Sequence, residues 1–214
     1  MIDQSKTGTQ VHDMKKTGRP LSFDREAAVE NAMLVFWREG YEGTSLTTLI
    51  SEMGIASQSL YNAFGGKEQL FIEALQRYVT RSDDSTNLTF TKAATAKIAI
   101  RQHLEAAATN LVAPGHPSGC MLTLAASYCA TAPAQAQATL AKYRVEHETR
   151  IKHRLDRGIE EGDLPPETDT AVTASFFMTV LQGMSTQARY GATKKKLLAI
   201  ARSAMCAWPE GDQS

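Results

Sequence analysis

The chain has 214 residues, 43% of them apolar and 21% charged, the balance of a globular protein that can bury a sizeable core. No apolar run approaches the roughly 20 residues of a membrane-spanning helix, and the polar start MIDQSKTGTQVHDMKKTGRP lacks the apolar stretch of a secretory signal, so a cytoplasmic location without membrane contact is expected. Lys and Arg (23) balance Asp and Glu (23), which counts mildly against nucleic-acid binding unless a local basic cluster and a specific motif override it.

Residues 1–20 read as a flexible arm, rich in Lys, Thr, Gly and Gln without a periodic apolar face, and its basic residues are Lys15, Lys16 and Arg19. From Phe23 onward the pattern is helical and strand signals are nearly absent, so the fold class is all-α. Asp24 and Glu26 open a first helix whose apolar face carries Ala28, Ala32, Val35 and Phe36, and Gly40 is placed to stop it. Ser45 is a candidate N-cap for a short second helix with Leu46, Leu49, Ile50 and Met53, ended by Gly54. A third helix starts after Ala56, with Ser57 or a neighbour as its cap, and runs to about Phe64, where Gly65 and Gly66 break the chain. Lys67 opens a fourth helix.

The second half divides at prolines into candidate helices 91–112, 119–131, 134–161, 168–189 and 193–207. The expected organisation is an arm (1–20), a small unit of three or four helices (21–81) and a larger helical bundle (82–214).

The stretch TSLTTLISEMGIASQSLYNAFGGKEQLF, residues 44–71, has the spacing of a helix-turn-helix: two short helices joined at a glycine that can take positive φ. Ile55 and Leu60 pin the second of these helices to the first, and its exposed face is free to enter a major groove. That face carries Ser57, Gln58, Ser59, Tyr61 and Asn62, short hydrogen-bonding groups suited to base edges and phosphates. Gln58 is the candidate for base readout, because an amide pairs bidentately with adenine. Thr44 and Thr47 are placed to bond phosphate. A lysine is disfavoured at a helix N-terminus, so a nearby phosphate would account for Lys67.

On Gly40-Tyr41, Thr44-Ser45, Gly54-Ile55, Leu60-Tyr61, Phe64, Lys67-Glu68 and Leu70-Phe71, residues 20–80 resemble the DNA-binding domain of the TetR/AcrR family of regulators. The resemblance implies phosphate contacts for Tyr61 and Lys67, recognition-helix positions for Ser57, Gln58, Ser59 and Asn62, and a homodimer on a near-palindromic operator in double-stranded DNA. It also implies a repressor released by a small-molecule effector. Ile50 departs from the pattern, in which a small alanine is common. The last two helices are expected to pair with their symmetry mates through Phe176, Val180, Met184, Leu197 and Ala201, with Gly183, Ser185 and Ala188 permitting close approach. The basic arm is placed to reach an adjacent minor groove.

Three cysteines at loose spacing form no disulfide framework. Cys120, opening a helix after Gly119, and Cys129 are candidates for redox or electrophile sensing, as in some regulators of this kind, against the blander reading of two inert buried thiols. His116 near Cys120 is too loosely spaced for a metal site, so neither metal nor cofactor is expected. His103, His147 and His153 have charged neighbours and are expected on exposed helix faces, with Glu146–Arg150 and Glu148–Lys152 as i,i+4 pairs. No Ser-His-Asp arrangement, phosphate-binding glycine loop or paired carboxylate suggests an enzyme. A helical adaptor that has lost DNA binding is the remaining rival.

Overall fold

The computed structural model describes residues 23–128 and 134–210. Lys15, Lys16, Arg19 and Cys129 lie outside them. The described residues form nine α-helices and one 3-10 turn (Met205–Ala207), with no strand among them.

The first four helices are α1 (Arg25–Gly43), α2 (Leu46–Met53), α3 (Ser57–Phe64) and α4 (Lys67–Lys92). The Asp24 carboxylate caps α1 by accepting from the N–H groups of Glu26 and Ala27. Gly40 leaves helical geometry (φ 74°, ψ 172°), so α1 bends there and adds one last turn before Thr44. Ser45 caps α2, its Oγ accepting from the Thr48 N–H at 2.9 Å. Gly54 (φ 64°, ψ 33°) reverses the chain: its N–H bonds the Ser51 carbonyl, and the next N–H, of Ile55, bonds that of Ile50. This pair of bonds satisfies the end of α2 and drives the Ile55 side chain into the core.

The other helices are α5 (Ala96–Asn110), α6 (Met121–Tyr128), α7 (Ala134–Glu160), α8 (Thr170–Arg189) and α9 (Lys194–Ala204). Residues 91 and 92, expected to open α5, instead close α4, which runs unbroken past residue 81, so the two expected units share a helix.

The apolar residues bury in two clusters. One joins α1–α4, through Phe36, Leu49, Leu60, Phe71 and Leu75, to Met121, Leu124 and Ala125 of α6 and to Leu140 of α7. The other fills the bundle of α5, α7, α8 and α9 around Ile100, Leu104, Ile151, Phe177 and Trp208. Helix α6 follows the proline-containing segment in sequence, yet its apolar face belongs to the core of the N-terminal unit.

In α8 the sequence repeats Val172, Phe176, Val180, Met184 and Ala188 at four-residue spacing, a stripe expected to form one face, and this stripe is split. Val172 is 65% and Phe176 40% exposed, Val180 is half-buried, and Met184 and Ala188 are buried. A step of four residues advances about 40° around an α-helix, so a run at that spacing spirals from one face to another. Met184, Leu197 and Ala201 are each at most 1% exposed and sit in the protomer's own core, which corrects their assignment to a dimer seam. Ser185 and Ala188 are likewise interior, while Gly183 is exposed.

His103 also departs from expectation. It is buried, edge-on to Phe90 at 5.0 Å, with its Nε2 3.0 Å from Nε2 of His147, which is itself half-buried. The apolar face of α5 carries it inward; the charged neighbours lie on the opposite side. His153 is exposed as expected. Lys152 pairs forward with Asp156 at 2.8 Å rather than back with Glu148, which accepts the Ser175 hydroxyl.

Nothing lies within 4 Å of a Cβ built on Gly54, so substitution there meets only the left-handed backbone. Gly54→Ala is therefore expected to cost about 1–2 kcal/mol in urea denaturation, with Gly54→Asn losing less. Equal losses in the two variants would point to a cause other than backbone conformation.

Candidate nucleic-acid interface

Helices α2 and α3 stand on α1 and α4 through their apolar sides: Leu49, Met53, Ile55, Leu60 and Phe64 are all buried. Ile50 is half-buried and packs against the same core, so the departure from a small residue is accommodated at the edge of α2. The opposite side of α3 faces solvent. Ser57, Gln58, Tyr61 and Asn62 are exposed there, Ser59 is half-buried, and Thr47 is exposed on α2. Gln58 and Asn62 are tied together, the Gln58 amide donating to the Asn62 oxygen at 3.0 Å, so they present one joint polar surface.

Thr44 does not belong to this surface. It is 1% exposed, and its hydroxyl donates to the Gly40 carbonyl at 2.6 Å, closing the bend at the end of α1. Its role is structural, which corrects the expectation of a phosphate contact.

The helix starts separate into two kinds. Side chains cap α1 (Asp24), α2 (Ser45), α5 (Thr95), α8 (Asp169) and α9 (Thr193). Helix α3 begins on Ala56 and α4 on Gly66, neither with a side-chain cap, which corrects the expectation that Ser57 or a neighbour caps α3. Uncapped N-termini leave backbone N–H donors and the positive end of the helix dipole facing outward, the arrangement that receives phosphate. These two starts flank the exposed face of α3.

Lys67 opens α4 and lies over the Tyr41 ring, 4.3 Å from its centroid. Partial burial pulls its pKa below the ordinary lysine value, opposed by the charge of Glu42. A phosphate beside it would restore what burial and the helix dipole take away. Sequence reasoning missed Arg25, whose guanidinium pairs with Glu73 of α4, stacks 4.7 Å from the Phe64 ring centroid and so ties the end of α3 to the scaffold. The bond to Glu73 holds the Arg25 pKa above its usual value.

A second feature lies behind the reading head. A cavity of about 560 Å³ opens among α1, α4, α5, α6, α7 and α8, lined among others by Trp37, Tyr78, His147, Cys120 and Leu181. Trp37, on α1 of the reading head, meets Tyr78 edge-on at 5.0 Å and stacks on His116 at 4.5 Å. Cys120 is half-buried, and its backbone N–H donates to Ser185 Oγ at 2.8 Å. Among the described residues no group of three or more His, Cys, Asp or Glu could hold a metal.

The buried apolar side of α2 and α3, the left-handed turn at Gly54 and the polar outer face of α3 define a helix-turn-helix protein with a helical C-terminal unit. Residues 28–74 match the family described as "Bacterial regulatory proteins, tetR family", and residues 96–205 match "Tetracyclin repressor-like, C-terminal domain". The chain is 33% identical over 198 residues to the HTH-type transcriptional repressor ComR of Escherichia coli (strain K12), spanning 92% of this chain and 94% of ComR. It is 29% identical over 188 residues to the HTH-type transcriptional repressor BdcR of the same organism, spanning 87% of this chain and 90% of BdcR. Among solved structures, a cysteine-substituted form of the TetR family transcriptional regulator CifR, complexed with 26-base-pair double-strand operator DNA, superposes with a TM-score of 0.84 at 37% identity, covering 90% of this chain and 100% of CifR.

The chain belongs to the TetR family of bacterial transcriptional regulators. It is a DNA-binding regulator rather than an enzyme, and regulators of this family are dimeric and take small-molecule effectors. Among the described residues no helix is long and apolar enough to cross a membrane.

Burial, then the charges of His147 and Arg150, push the His103 pKa from 6.5 to about 3. The unfolded chain therefore binds one more proton than the folded one between those values, and folding stability falls as pH drops from 6.5 toward 3. Denaturation midpoints of the protein and of His103→Leu, followed from neutral to acid pH, are expected to differ in slope by up to about 1.4 kcal/mol per pH unit. Parallel slopes would place this titration elsewhere.

Proposed function

We propose that the protein represses transcription by holding a near-palindromic operator with the α3 helices of a homodimer, and that an effector in the C-terminal cavity releases it. The observation that carries the reading is the exposed polar face of α3 between two helix N-termini without side-chain caps. In this reading Gln58 and Asn62 read base edges, while Thr47, Ser57, Ser59, Tyr61 and Lys67 hold phosphates and set register. Lys15, Lys16 and Arg19 would add minor-groove contacts. The repressors ComR and BdcR, similar to this chain over most of its length, support the direction of control.

Dimerisation uses the face of α8 that the protomer leaves uncovered: Val172, Phe176, Thr179, Val180 and Gly183, of which Val172 and Phe176 are large apolar side chains turned to solvent. Pairing of like faces about a two-fold axis sets the spacing of the two α3 helices, and with it the spacing of the operator half-sites. The cavity touches α1 through Trp37 and α4 through Tyr78. A ligand that fits it better in one arrangement of these helices shifts the population toward that arrangement, and DNA affinity falls by the difference in binding. Cys120 lines the same cavity, so an electrophilic effector would find a thiol there. Mass spectrometry after mild electrophile treatment tests that route, and an unmodified Cys120 removes it.

In gel shifts on an operator selected from random DNA, Tyr61→Ala and Lys67→Ala are expected to weaken binding across sequences, Lys67→Ala also lowering the salt slope by about 1. Gln58→Ala is expected to relax base preference at one position of each half-site, at a cost of about 1–3 kcal/mol. Undiminished binding by all three variants would refute the assignment. Phe176→Glu is expected to yield monomers in sedimentation and to lose operator binding, while a dimer that survives this change would move the interface off α8.

A further inference from the structure

Gln58 and Asn62 stand one turn apart on the exposed face of α3, the spacing at which side chains of a helix meet. The helix beneath them is fixed in rotation. Leu60 and Phe64 are buried on its other side, and Arg25 lies over the Phe64 ring and donates to the Ala63 carbonyl at 3.5 Å. The bond between the two amides has a direction: Gln58 Nε2 donates and Asn62 Oδ1 accepts, at 3.0 Å. A primary amide has one oxygen and two hydrogens. One hydrogen of Gln58 is thus committed to Asn62, which leaves Oε1 and the other hydrogen, an acceptor and a donor, for a partner outside the helix. An exposed amide pair at this spacing adds little to helix stability, so its value lies in placement.

We infer that Asn62 is a positioning residue for base recognition, which reads no base of its own but holds the Gln58 amide in the state that prefers adenine to guanine. This rests on the proposed reading of base edges by α3 and divides the work between its two amides. In the major groove adenine offers a donor and an acceptor, N6–H and N7, whereas guanine offers two acceptors, N7 and O6. An unrestrained glutamine can meet either base, with its oxygen and one hydrogen toward adenine or with its NH2 group toward guanine. With one hydrogen held by Asn62, Gln58 still bonds adenine twice. To guanine it can give only the remaining hydrogen, and its oxygen then faces a second acceptor. Asn62 also satisfies the hydrogen that adenine does not use when water leaves the groove, where an unpaired donor is costly.

The test is competition gel shifts of the full chain on an operator selected from random DNA and on its adenine-to-guanine variant at the position that Gln58→Ala relaxes. Asn62→Ala and Asn62→Asp both lose the Asn62 amide donor, but only the aspartate keeps an oxygen for Gln58. Asn62→Ala is expected to lower the preference for adenine over guanine at that position by about fivefold, with other positions and the urea midpoint unchanged. Asn62→Asp is expected to weaken binding to both operators by repulsion from phosphate and to keep the preference. Adding Asn62→Ala to Gln58→Ala is expected to relax that position no further, as for two residues that act as one unit.

Equal loss of preference in the alanine and aspartate variants would overturn the inference, because Asn62 would then act through its own donor. Relaxation at a different base pair, or an unchanged preference in Asn62→Ala, would overturn it as well. Each of these outcomes leaves base reading by Gln58 standing. That reading fails separately, and the inference with it, where Gln58→Ala relaxes no position or relaxes one that is not adenine.

Discussion

The packing of α1 against α4 and α6 sets the position of everything else. Phe36 meets Phe71 edge-on at 4.9 Å, and Trp37 is held between Tyr78 and His116. Around these rings the reading head borrows Met121, Leu124 and Ala125 from α6 to complete its core. A small helix-turn-helix unit buries too little apolar surface to be rigid on its own. Here the missing surface comes from the C-terminal half, so the head cannot change orientation without disturbing α6, and the cavity beside α6 cannot be filled without meeting Trp37.

The balance of charge over the whole chain follows a different logic from the placement of charge within it. Guanidinium groups that could have met DNA are spent inside the scaffold: Arg25 on Glu73, and Arg77 on Glu26 and Glu30. These pairs join α1 to α4 and are partly exposed, so their value is orientation more than stability. What remains at the reading face is short hydroxyls, a coupled pair of amides, two bare helix starts and Lys67. Such a face makes many short contacts with little long-range attraction, which suits a protein whose net charge is zero.

The helices were legible where a punctuating residue has one physical use. Asp24, Ser45, Gly54 and the pair Gly65-Gly66 fall at helix ends because caps and left-handed turns accept few residue types. The polar face of α3 was legible for the same reason. Burial of individual polar residues was not. Thr44 closes the bend at Gly40 through its hydroxyl, which no sequence pattern marks, and His103 sits inward because the neighbouring positions on α5, Ala99, Ile100 and Leu104, turn that face into the core. The stripe on α8 misled through its period: four-residue spacing looks like one face over two turns and is two faces over five. The extra partner of the first core, α6, lies about fifty residues beyond α4's start, and no local pattern announces such a contact. The bare starts of α3 and α4 could have been found, since Ala56 and Gly66 offer no capping oxygen.

The unbroken course of α4 has a mechanical meaning. Its 26 residues make a rod of about 39 Å that carries Lys67 at one end, with Tyr78 and Arg81 of the cavity wall near its middle. From Tyr78 to Lys67 is roughly 17 Å along the axis. A tilt of only about 6° at the cavity would carry the Lys67 end through roughly 2 Å, comparable with the reach of a hydrogen bond. Under the proposed function, a stiff helix pivoting beside the cavity works as a gain element: a displacement too small to unpack the core is still large enough to take the proposed Lys67–phosphate contact out of register.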